Sequence, residues 1–144
     1  MAEATAPLSS TSDEKSLSQR QREEGNRIFR SASETGITSY VQICRLRDAL
    51  RHYRNAKSSS SSTLESVSAA KNIGVTAKKI ANLTNEERTK KEENESAEKP
   101  EDCTELFEEA VQSFEHACEH ASCKGTAWWD DLLSKYHQVP LPYR

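Results

Sequence analysis

Long apolar runs are missing from this chain. No stretch approaches the roughly 20 apolar residues that cross a bilayer, so no membrane partner is expected. The first 12 residues carry neither a basic start nor an apolar block, which argues against a secretory signal and for a cytoplasmic location. Glycine and proline are scarce, four of each, and β-branched runs are absent. A sheet-rich fold is excluded on that ground. The four cysteines, Cys44, Cys103, Cys118 and Cys123, lack the paired short spacing of a zinc finger, and in a cytosolic chain they stay reduced. A positive excess is also missing. The net charge is -3 and the isoelectric point about 5.8, against a nucleic-acid partner.

What remains is a polar chain with helical periodicity. Hydrophobic residues make up 34% and charged ones 30%, with a mean hydropathy of -0.86. That composition suits one small helical core with unstructured segments attached. Residues 1–12 read as a disordered tail, with Thr11 and Glu14 spaced as a helix-starting capping box. Leu17, Gln21, Gly25, Ile28, Phe29 and Ala32 then fall on one helical stripe. A second helix is predicted over 40–57, with Tyr40, Ile43, Cys44, Leu46, Ala49, Leu50, Tyr53 and Ala56 inward. A third is predicted from Thr63 to about Leu83, capped by Ser62 with Glu65, on Leu64, Val67, Ala70, Ile73, Gly74, Ala77, Ile80 and Ala81.

Residues 84–101 are almost wholly charged and polar, and read as a disordered acidic insertion. A fourth helix follows over 102–121, on Leu106, Phe107, Ala110, Val111, Phe114, Ala117, Cys118 and Ala121. Gly125 and Thr126 stop one helix and start another, over 127–137, before Pro140 and Pro142 in a tail of residues 139–144. The domain proper is thus 13–138.

Charge is unevenly spread. Residues 20–57 hold nine basic and four acidic residues, and residues 86–105 hold nine acidic and four basic. The two regions can attract one another, or the basic one an acidic peptide. Solvated helix faces account for the same pattern.

Two glycines sit inside helices, Gly25 and Gly74, where each costs about 1 kcal/mol against alanine. Close approach of a neighbouring helix is the usual compensation. Ala49-Leu50-x-x-Tyr53-x-x-Ala56 repeats as Ala110-Val111-x-x-Phe114-x-x-Ala117. Small residues let helix backbones close up, and the aromatic fills the space between. With these residues the chain resembles the tetratricopeptide repeat family, whose pattern places a glycine early in helix A and alanine, aromatic, alanine along helix B. Trp129, Leu132 and Tyr136 resemble the start of a third helix A, with Leu133 where the family prefers glycine. A family repeat is about 34 residues, and both A-to-B turns here are longer.

The resemblance implies an all-α fold: helical hairpins forming a short solenoid that acts as a non-catalytic protein-interaction adaptor without cofactor or metal. Some family members grip the C-terminal carboxylate of an acidic partner peptide, typically from a chaperone. Their clamp matches Arg22 and Asn26 on the first helix and Asn72 on the third, with Lys71 and Lys79 as further donors on the same helix. In the last helix Asp130 and Asp131 stand where that clamp has cations, with only Lys124 near. The same residues also read as plain polar positions on a groove.

A different class of function rests on His116 and His120, four apart on one helix face, with Cys118 and Cys123 nearby. That spacing suits a two-histidine metal pair. No nucleophile with a base and an oxyanion site can be assembled around the cysteines. Trp128 and Trp129 diverge by about 100° on a helix. One is expected to cap the core, leaving the other for self-association.

Overall fold

The computed structural model describes residues 15–94, 103–120, 124–141 and 143–144. Five helices are described, with no strand among the described residues: α1 (Leu17–Ser31), α2 (Ser39–Ser58), α3 (Thr63–Asn94), α4 (Thr104–Glu119) and α5 (Thr126–His137). Each packs on the next in sequence, and α1 and α5 also touch α3. The fold is all-α, a solenoid-like stack of helical hairpins.

The pairing is set by the two helical glycines. Neither has a positive φ, which only Gly36 adopts, in the α1–α2 turn. Gly25 and Gly74 are therefore required by space rather than by backbone conformation. A Cβ on Gly25 would lie 2.7 Å from Cε1 of Tyr53, and one on Gly74 would lie 2.6 Å from Cε1 of Phe114. Each ring thus lies flat on the bare backbone of the facing helix. Ala49 and Ala56 flank Tyr53 in sequence, Ala110 and Ala117 flank Phe114, and all four alanines are fully buried.

Register gives the direction of each helix. Ser16, the N-cap of α1, bonds the Glu65 carboxylate 49 positions later, the same interval that separates Gly25 from Gly74. Lys79 lies over the Phe29 ring, at an interval of 50. Lys71 meets Asp131 and Lys78 meets Gln138, both at an interval of 60. A constant interval means parallel helices, so α1, α3 and α5 run side by side in one direction. In contrast, Ser18 bonds the Ala56 carbonyl while Asn26 meets Tyr53. The partner number falls as the residue number rises, so α2 is antiparallel to α1. Phe114 against Tyr136 and Phe107 against Tyr143 give the same sense for α4 against α5 and the segment after it.

Several boundaries differ from the sequence reading. Ser16 caps α1, its hydroxyl accepting from the Gln19 amide; Thr11, Glu14 and the whole 1–12 tail lie outside the described residues. Leu17, Tyr40 and Leu64 were expected inside but are 52%, 76% and 48% exposed. All three sit in the first turns of their helices, where no neighbour among the described residues covers them. Cys44 is also exposed. Ser18, not Leu17, fills the α1–α2 seam, since its hydroxyl satisfies the Ala56 carbonyl.

The expected insertion of residues 84–101 begins as helix. α3 runs on to Asn94, with Thr84 buried, and residues 95–101 lie outside the described residues. Glutamate, lysine and arginine are strong helix formers, and Glu87 pairs with Lys90 one turn on. The segment needs no apolar stripe to continue an existing helix. The expected tail of residues 139–144 is corrected too. Val139 is fully buried, and Tyr143 stacks on Phe107 with centroids 4.7 Å apart. Val139 and Tyr143 thus pack on the stack rather than trail from it.

Candidate functional site

α1, α3 and α5 share a face, and the two intervals place its residues in rows across the helices. One row takes Arg22, Lys71 and Asp131. The next takes Asn26, Val75 and Lys135. A third takes Arg30 and Lys79. These row positions hold five cations and one carboxylate, Asp131; the row before them, Ser16 and Glu65, brings a second carboxylate near Arg22.

Each sequence-predicted residue has a definite place. Arg22 is half-buried near the start of α1; hydrogen bonds from Lys15 and Gln19 hold the Glu23 carboxyl low, bonds from Ser16 and Ser61 hold that of Glu65 low, and the charge of Arg22 adds a smaller pull on both. The Asn26 Oδ1 accepts from the Tyr53 hydroxyl at 2.6 Å, which leaves the amide N–H groups as its free donors. Burial raises the Tyr53 phenol to about 12, so it stays a donor across the working pH range. Arg30, a cation absent from the sequence-based set, lies close enough to act on that phenol. Asn72 is half-buried on α3. The Lys79 ammonium sits 5.1 Å from the centre of the Phe29 ring, a cation–π contact that ties α3 to α1.

Lys71 is held differently. Its side chain is only 15% exposed, its ammonium donates to Asp131 Oδ2 at 2.5 Å, and it lies 4.8 Å from the Trp128 ring centre. Lys135 approaches the other Asp131 oxygen at 3.6 Å. The hydrogen bond from Lys71, with the charges of Lys71 and Lys135, holds the Asp131 carboxyl below the usual range. Asp131 therefore fills the place where the sequence reading sought a cation.

Lys78 was also missed by sequence reading, which could not separate it from Lys79 beside it. It is buried between α3 and the end of α5, donating to the Gln138 side-chain oxygen. Burial, and then the charge of Lys135, lower its pKa. A buried ammonium beside a second cation, with a neutral amide for an acceptor, is an electrostatically costly arrangement.

Trp128 and Trp129 both pack half-buried against the core. Lys71 and Lys124 cover the Trp128 ring. The histidine pair is close, with ring centroids 4.8 Å apart. His116 Nε2, however, is engaged with the Ser66 hydroxyl at 2.9 Å, and burial lowers its pKa. Cys118 is half-buried, its thiol pushed up by burial, and Cys123 lies outside the described residues. Among the described residues no three His, Cys, Asp or Glu side chains gather as a metal site. No helix of the described residues is long and apolar enough to cross a membrane.

Compared with family models, with curated proteins and with solved structures, the chain matched none of them.

Proposed function

We propose that this protein is a non-catalytic, tetratricopeptide-like adaptor that docks an acidic peptide segment across the α1–α3–α5 face. The observation that carries this reading is the row arrangement of Arg22, Lys71, Lys135, Arg30 and Lys79, with Asp131 the single carboxylate among those positions. Cations gathered on one face raise its positive potential, which favours an anionic ligand. The buried ammonium of Lys78 adds to the same field.

An extended peptide laid across three parallel helices meets donors at each row. Guanidinium and ammonium groups make charge-assisted bonds to carboxylates, roughly twice as strong as neutral ones. The Asn26 amide, oriented by the Tyr53 hydroxyl, and the Asn72 amide supply neutral donors for a terminal carboxylate. A cytosolic chaperone ending in an acidic motif is the partner that the family resemblance suggests.

The test is fluorescence anisotropy with a labelled acidic peptide carrying a free C-terminus, against the same peptide amidated. Arg22→Ala with Asn72→Ala should weaken binding about a hundredfold or more, since each removes a bond to a charged group worth about 1.5–3 kcal/mol. Raised salt should weaken it further. If the double variant binds as the parent does, the clamp reading fails.

A further inference from the structure

We infer that Asp131 is a tethered stand-in for the ligand: its carboxylate occupies the subsite of Lys71, Lys135 and Trp128 that an acidic side chain of the docked peptide takes over. The inference rests on the peptide-docking reading above and adds how that face is held when empty.

The geometry has three parts. Lys71 is nearly covered, pinned between the Asp131 carboxylate on one side and the Trp128 ring at 4.8 Å on another. The cation is therefore held in place rather than sweeping through solvent, and a pre-placed donor binds a carboxylate at lower entropic cost. Asp131, in contrast, is half exposed. It reaches the subsite from a surface helix and can swing out without unpacking the core. Finally, two lysines meet this one carboxylate, Lys71 at 2.5 Å and Lys135 at 3.6 Å. This pair of ammonium groups, one of them steadied by the Trp128 ring, is a carboxylate site by chemistry, and an intramolecular carboxylate fills it.

A tethered acid of this kind sets a threshold. Weakly acidic or neutral segments do not displace it, while a segment with several carboxylates gains at other rows what it loses in competition with Asp131. The device thus selects for multiply acidic peptides.

The experiment compares Asp131→Asn, Asp130→Asn and Lys71→Met with the parent chain, using a fluorescein-labelled peptide of alternating glutamate and leucine. Its glutamine counterpart serves as the neutral control. Asp130 is the exposed neighbour of Asp131, so its variant changes net charge by the same amount. Circular dichroism checks that each variant is folded. The expected result is about fivefold tighter binding for Asp131→Asn, little change for Asp130→Asn, and weaker binding for Lys71→Met. Equal tightening by both aspartate variants, or none for Asp131→Asn while Lys71→Met still weakens binding, overturns the stand-in role and leaves the docking reading in place. Failure of every folded form to prefer the glutamate peptide over its glutamine counterpart overturns both.

Discussion

Replacing Gly74 with alanine decides whether the hairpins are held as described. On helix propensity alone the change should stabilise the protein by about 1 kcal/mol, because glycine is a poor helix former. The structure opposes this. The new methyl would meet Phe114 at 2.6 Å from Cε1 and 2.8 Å from both Cδ1 and Cζ. Carbon atoms pack at about 3.5–4.0 Å, so roughly 1 Å of overlap must be relieved. The ring cannot retreat. It is fully buried between Ala110 and Ala117 in sequence and meets the Tyr136 edge with centroids 6.4 Å apart. Overpacking of this kind costs about 1–3 kcal/mol. After subtracting the propensity gain of about 1 kcal/mol, Gly74→Ala should destabilise by up to about 2 kcal/mol in urea unfolding followed by circular dichroism. In a Phe114→Leu background the methyl finds room, and the same change should stabilise. The two sites should therefore couple by about 2 kcal/mol, well above the 0.3–0.5 kcal/mol scatter of independent sites. A stabilising Gly74→Ala in the parent chain, or coupling within that scatter, would falsify the packing argument. Gly25→Ala against Tyr53, at 2.7 Å, should behave with the same sign.

Two further outcomes follow from named contacts. Tyr53→Phe should cost about 1 kcal/mol by removing the bond to Asn26. The phenol also gives a pH signature. Its folded pKa, about 12, lies above the ordinary 10, so its contribution is whole below pH 10 and is lost as pH rises towards 12. Alkaline unfolding monitored between those limits should lose part of its steepness in the phenylalanine variant, and an unchanged profile would remove Tyr53 as its source. Deleting residues 139–144 should destabilise by about 2–3 kcal/mol, from burial of Val139 and the Phe107–Tyr143 stack. Unaltered thermal unfolding of the shortened chain would show that this segment only rests on the surface.

The helices and their inner faces were legible in the sequence because a 3.6-residue period survives any tertiary detail. Gly25 and Gly74 were legible for the opposite reason: they break local preference, and such a break points to a neighbour. Legibility failed at three kinds of place. Leu17, Tyr40 and Leu64 continue an apolar stripe past the point where a neighbour exists, and periodicity carries no information about where the partner helix stops. The stretch after Leu83 lacks a stripe, yet it stays helical to Asn94 because propagating a formed helix is easy where starting one is not. Residues 139–144 carry two prolines and looked like an end, while the ring that Tyr143 stacks on, Phe107, lies 36 positions away in sequence. The candidate face was legible in part. Arg22, Asn26, Asn72, Lys71 and Lys79 were visible as donors. Their arrangement in rows with Lys135 and Arg30 needed the 49- and 60-residue intervals, which only the folded chain reveals.

α5 joins the two halves of the argument. A stack of hairpins leaves its last face bare, and repeat proteins close it with a helix whose outer side is polar. α5 has that character: Leu132 is buried towards the stack, while Ala127, Asp130, Ser134 and His137 face solvent. A cap needs little more than this. α5 also carries Asp131 and Lys135 to the shared face and lays Trp128 under Lys71, contacts that lie on the side towards α3. Ion pairs with a half-exposed partner such as Asp131 contribute modestly to stability, so closure alone gives no strong reason to bring two lysines to one carboxylate. The proposed ligand selection would. The helix that ends the stack is on this account also the wall that decides which peptides enter.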